Sequence, residues 1–252
     1  SPFLFWEMLP WSSVSSLFFS LLTLITIYKF LDTDKLKYLI YVGIFASLCF
    51  WSRQSVGILI TLSVIFYLAI LNPKLFLKNI TPFCIGFLLT TLIGLYVFFL
   101  NDSYLSWYEI AFKGQISWAE SILGGEQANI YKSVLHIIGV LFSPSPWHSI
   151  WGILPTMLIA YFLYILYQRF MRNNRSTDYD LAFIFISFAS WAQYFPVAEP
   201  RHYFWSSLIF MSLPAILFTK IYIHKNIILK NILLIVIPIF YSIFITNYIF
   251  CY

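Results

Sequence analysis

LKYLIYVGIFASLCFWSRQSVGILITLSVIFYLAIL, residues 36–71, decides the fold. A membrane-crossing helix needs about 20 apolar residues, with a tolerated range of roughly 17–25. This stretch is too long for one crossing and is interrupted by Ser52-Arg53-Gln54-Ser55. It reads as two short helices joined by a tight turn sunk toward the membrane.

The rest of the chain repeats the pattern. Ser12–Leu31, Ile80–Leu100, Ser149–Tyr167, Tyr203–Ile223 and Asn231–Phe250 each meet the length for a span, and Leu181–Phe195 is shorter but carries no charge. Ser133–Phe142 is too short to cross and stops at Ser143-Pro144-Ser145-Pro146, which predicts a half-span or interfacial helix. The expected fold is therefore an all-α polytopic bundle of about eight spans plus that half-span, with residues 1–252 forming a single transmembrane domain. Composition agrees: 61% of residues are hydrophobic and 10% charged, with a mean hydropathy of +0.83. A water-soluble domain carries about a quarter charged residues, whereas in lipid the outer surface must be apolar too. The chain opens on Ser1 almost directly before a span, so the reading expects a fragment lacking N-terminal spans and a first outer loop.

Charge sets the expected topology. Lys29, Lys35, Lys37, Lys74, Lys78, Arg169, Arg172, Arg175, Lys220, Lys225 and Lys230 are eleven of the fifteen basic residues, and they fall in alternate loops. Cytoplasmic loops are enriched in Lys and Arg, which accounts for the net charge of +5 without a nucleic-acid partner. The opposite side holds Arg53, Lys113, Lys132 and Arg201 together with Glu7, Asp102, Glu109, Glu120, Glu126 and Glu199. The longest loop, Asn101–Tyr131, lies there. Its Trp107, Ile110, Ala111 and Trp118 share a helical face, as in an interfacial amphipathic helix; a loop covering an outward cavity is the functional reading.

Cys49, Cys84 and Cys251 imply no disulfide framework, and His136, His148 and the remaining histidines have no metal-ligand spacing, so neither metal nor cofactor is expected. Asp32-Thr33-Asp34 has an Asp-x-Asp look but falls in a Lys-rich turn, where solvated charge is the expectation. Two motifs stand out. Arg53, near hydrocarbon, needs compensation: it either snorkels to headgroups or forms an anion site with Gln54, since guanidinium matches phosphate oxygens. The other is Tyr194-Phe195-Pro196-Val197-Ala198-Glu199-Pro200-Arg201-His202-Tyr203, a short outer connection stiffened by two prolines. It presents Glu199, Arg201 and His202, either as a local Glu–Arg pair or as a site.

These motifs resemble the multi-spanning glycosyltransferases of the GT-C fold, which use polyprenyl-phosphate sugar donors. A helix, a turn bearing Arg-Gln or Lys-Gln, and another helix recur there. The Phe-Pro-x-x-x-x-Arg-His turn is similar to bacterial members, the protein-mannosyltransferase and lipid A aminoarabinose transferase group, in their central-to-C-terminal part. A eukaryotic glucosyltransferase acting on the dolichol-linked oligosaccharide has a comparable Arg-Gln turn and Glu-Pro-Arg turn.

The resemblance implies transfer of a sugar from a polyprenyl-phosphate-linked donor to a lipid or glycan acceptor, at the non-cytoplasmic face of a bacterial inner (plasma) membrane. It implies that Arg53 and Arg201 neutralise the carrier phosphate as leaving group, with Gln54 and His202 as partners. The catalytic acid of that group lies in the first outer loop, upstream of any matched residue; the role passes to neither Glu7 nor Glu199. The alternatives are a transporter or flippase for lipid-linked saccharide, and an O-antigen-type polysaccharide polymerase.

Overall fold

The computed structural model describes residues 11–109, 113, 146–172, 177–191, 209, 212–223, 238 and 242. Among them every regular element is helical. In chain order they are α1 (Trp11–Thr33), α2 (Lys37–Ser52), α3 (Gln54–Leu71), a 3-10 turn (Pro73–Leu75), α4 (Phe76–Leu100), α5 (Tyr104–Tyr108), α6 (Pro146–Met171), α7 (Asp178–Ser190) and α8 (Leu213–Ile223). Three stretches are long and apolar enough to cross a membrane, Ser12–Thr33, Gln54–Leu71 and Pro73–Leu100, while Lys37–Ser52 is apolar but shorter. The expected count of about eight is thus met only in part among the described residues. The expected Ser133–Phe142 half-span lies outside them, as does the expected Asn231–Phe250 span except for residues 238 and 242.

The break at the middle of 36–71 is sharper than a four-residue turn. Arg53 alone is extended, at φ −154° and ψ 108°, between the last residue of α2 and the first of α3. Its N–H still donates to Cys49 O at 2.8 Å, and its carbonyl accepts from Gly57 N at 2.9 Å. One residue therefore ends one helix and starts the next with its backbone groups satisfied, as an apolar surrounding requires. Gly57 makes the fold-back possible: a Cβ there would overlap the Phe50 backbone.

α2 is the centre of the bundle, packed most closely against α4 and α1. Its contact with α4 is reciprocal. A Cβ on Gly43 would strike the Phe83 carbonyl, and a Cβ on Gly86 would strike that of Ile40. Between membrane helices, small residues let backbones approach and gain dispersion contacts, since lipid removes the usual hydrophobic drive. Ser47 and Thr91 share a hydrogen bond of 2.9 Å across the same seam. Elsewhere buried hydroxyls turn back onto their own helix: Ser20 Oγ to Ser16 O (2.7 Å), Thr23 Oγ1 to Phe19 O (2.8 Å) and Thr61 Oγ1 to Gly57 O (2.8 Å). α7 packs on α3 and α1, and Leu39, Val42, Ala46, Ile60, Val64, Leu181 and Ile184 join one continuous apolar core.

The outward faces are apolar as well. Phe99 is 78% exposed and Leu77 77%, and Leu88, Leu92 and Phe66 are exposed too. Large single-sided apolar exposure of this kind fits a lipid surround. The end of α4 is capped by Asp102 in the left-handed region at φ 50°, with Ser103 N donating to Phe98 O at 3.0 Å. That reversal carries α5 back over the bundle, a C-terminal cap in which Asp substitutes for the usual Gly.

Candidate functional site

Two polar centres stand at opposite ends of the bundle. The separation follows from α1: its 23 residues span about 34 Å at 1.5 Å per residue, with Ser13 near one end and Asp32 near the other.

At the first end, the Arg53 Nη1 donates to Ser13 Oγ at 2.7 Å. Ser13 is fully buried in the first turn of α1, and its carbonyl accepts from Ser16 Oγ at 2.9 Å. The Ser13 hydroxyl thus takes one of the guanidinium's hydrogen bonds and helps to orient it. Gln54, the first residue of α3, is buried beside it. The first-turn N–H groups of a helix have no intrahelical acceptor and favour an anion, so Arg53 and the start of α3 add their positive character at one place. The bond to Ser13 gives Arg53 a polar partner inside the bundle and does not choose between the two expectations, snorkelling or an anion site.

An aromatic wall adjoins this turn. Trp51 lies 5.1 Å from Trp107 and 5.3 Å from Phe98, ring centre to ring centre, and Phe98 lies 5.4 Å from Trp107. The Trp51 indole fills a notch over Gly94, where a Cβ would collide with it. Trp107, expected on the face of an interfacial helix, lies in α5 and packs over Trp51, where the Asp102 cap turns the chain back. The other residues of that expected face, Ile110, Ala111 and Trp118, lie outside the described residues.

The second expected motif cannot be placed against the first: Glu199, Arg201 and His202 lie outside the described residues, as does His136. Lys113 is exposed and pairs with Glu109 at 3.4 Å. Cys49, expected to act as a small hydrophobe, is buried and also donates weakly to Ser16 O at 3.4 Å.

The centre at the other end was missed from sequence. Arg169, in the last turn of α6, donates to Leu71 O at 2.7 Å and Ile70 O at 3.0 Å and pairs with Asp178 at the start of α7. One guanidinium therefore satisfies the final carbonyls of α3 and a carboxylate at the N-terminus of α7, both favourable for helix dipoles. Lys220 of α8 pairs with Asp180, and Tyr179 donates to Asp32 Oδ1 at 2.6 Å. Asp32 was expected to be only solvated charge; α7 recruits it, since its neighbour Asp34 ends α1 in the left-handed region at φ 53° and turns the chain there. The available sequence signal was Asp178 and Asp180 opening a helix shortly after Arg169.

Among the described residues no three His, Cys, Asp or Glu side chains group as metal ligands. No family model, curated protein or solved structure matches this chain.

Proposed function

We propose that this chain is part of a membrane glycosyltransferase that takes a sugar from a polyprenyl-phosphate carrier and transfers it to a lipid or glycan acceptor on the non-cytoplasmic side of a bacterial plasma membrane. One observation carries the reading: Arg53, at the one-residue break between α2 and α3, is oriented by the buried Ser13 hydroxyl. A guanidinium so placed, at a helix N-terminus and beside Gln54, matches a phosphate in charge and geometry. It favours the leaving phosphate as charge grows there. In this reading Arg201 and His202, with Glu199, also contribute to the phosphate site.

The end bearing Arg169, Arg172 and Lys220 is then cytoplasmic, by the excess of Lys and Arg in its loops. The test uses the full-length protein and a polyprenyl-phosphate-sugar donor. Arg53→Ala weakens donor binding by at least about tenfold, in line with a charged hydrogen bond, while Lys113→Ala, which removes only an exposed pair, leaves it within about twofold. Equal effects would mean that Arg53 only anchors its helix. Carrier translocation without transfer to any acceptor would move the assignment to a flippase.

A further inference from the structure

Of the three stretches long and apolar enough to cross a membrane, Pro73–Leu100 is the least enclosed: 11% of its apolar run is buried in the bundle, against 44% for each of the others. Leu92, Tyr96, Phe99 and Leu100, exposed and spaced along one helical face, carry that open surface into the last turn of α4. Asp102 then reverses the chain, and α5 returns beside the end of α4 instead of rising beyond it. Two contacts fix its depth. The Trp107 ring lies 5.4 Å from that of Phe98 and 5.1 Å from that of Trp51, and the Trp51 indole sits over Gly94. Phe98 and Gly94 precede the last residue of α4, Leu100, by about 3 and 9 Å along the helix axis at 1.5 Å per residue. α5 is therefore held level with the final turns of an apolar, membrane-crossing helix.

Within α5, Trp107 is half-buried, whereas Tyr104, Leu105 and Tyr108 are exposed, Leu105 at 73%. These three lie at i, i+1 and i+4, on one side of the helix. Polar groups begin just beyond: Asp102 is exposed before α5, and Glu109 forms an exposed pair with Lys113 after it. Tyrosine suits such a boundary, since its ring is apolar and its hydroxyl stays wet.

We infer that the Tyr104–Leu105–Tyr108 face of α5 is a bilayer contact, which adjoins the open face of α4 and lies in the phospholipid headgroup boundary. Trp107 is its inward pin, joining it to the aromatic wall beside the Arg53 turn. The residues that meet lipid are thus the neighbours of Trp107, not Trp107 itself. The inference rests on the membrane reading of α4 and not on the sugar chemistry.

The test is depth measurement by spin labelling. Full-length protein with its native cysteines replaced by alanine is placed in vesicles of phosphatidylethanolamine and phosphatidylglycerol. A single nitroxide is attached at Leu105→Cys, at Leu92→Cys on the open face of α4, or at Lys113→Cys. Collisions with dissolved oxygen, which concentrates in hydrocarbon, are compared with collisions with a neutral nickel chelate, which stays in water. Oxygen dominates at 92 and nickel at 113. The label at 105 is expected between them, about 5–10 Å inside the headgroup plane, with oxygen collisions exceeding nickel collisions. Nickel dominating at 105 as it does at 113 would show that α5 projects into water and would overturn the contact. Loss of both kinds of collision at 105 would overturn it as well, since a protein segment or a second copy would then cover the face. Failure of the donor to bind would sink the proposed function and leave these depths as they are.

Discussion

Arg53 and Arg169 mark the two ends of one helix: Arg53 is the extended residue that begins α3, and Arg169 donates to the Ile70 and Leu71 carbonyls that end it. The 18 residues between them make a rod of about 27 Å. The two cations meet opposite poles of that helix. Arg169 sits at the negative C-terminus, where a cation is stabilising; Arg53 sits at the positive N-terminus, where an anion is favoured. Arg169 is therefore structural by its surroundings. Arg53 is the side chain that the proposed function assigns to the ligand phosphate.

Removing Arg169 is expected to cost more than removing any exposed cation. Arg169→Ala leaves a partly buried Asp178 carboxylate and two helix-terminal carbonyls without their donor, a loss of about 3 kcal/mol. Thermal unfolding in detergent, followed by circular dichroism, should show a large fall in Tm, with a much smaller fall for Arg172→Ala. Comparable falls for both would show that Arg169 has no special role.

Ser13 is expected to act on ligand affinity rather than on folding. Ser13→Ala removes an acceptor from the charged Arg53 guanidinium and costs about 1.5 kcal/mol. That appears as weaker donor binding in the full-length protein, with Tm nearly unchanged. A fall in Tm with binding intact would make the Ser13–Arg53 bond a packing feature only.

The α2–α4 seam should reject any added side chain. Gly43→Leu and Gly86→Leu each drive atoms into the facing backbone and should lose well over the 1–3 kcal/mol typical of overpacking. The readout is the yield of monodisperse protein on size-exclusion chromatography. Gly94→Ala is a gentler probe: it displaces the Trp51 indole, so tryptophan emission shifts while the fold persists.

The sidedness expected from the charge count is open to labelling. A cysteine at Asp102 or Glu109 should react with an impermeant reagent from outside the cell, and one at Arg172 only after the membrane is opened. Reaction of both from the same side would overturn the topology and the outward-facing phosphate site together.

The one-dimensional order of apolar and charged residues located several of the described helices, because hydropathy reports what each segment can bury. It placed the break inside 36–71 and the starts and ends of α1 and α4 within a few residues. It also singled out Arg53, since an arginine inside an apolar run is conspicuous without any structure. Only tertiary structure decided which groups satisfy these charges. Ser13 is 40 residues from Arg53, Leu71 is 98 from Arg169 and Asp32 is 147 from Tyr179. The identity of a partner depends on which helix ends the packing brings together, and that packing is set by Gly43, Gly57, Gly86 and Gly94, residues whose importance lies in the side chain they lack. Hydropathy assigns a glycine little weight; the facing backbone or ring that needs its space exists only once the helices have met.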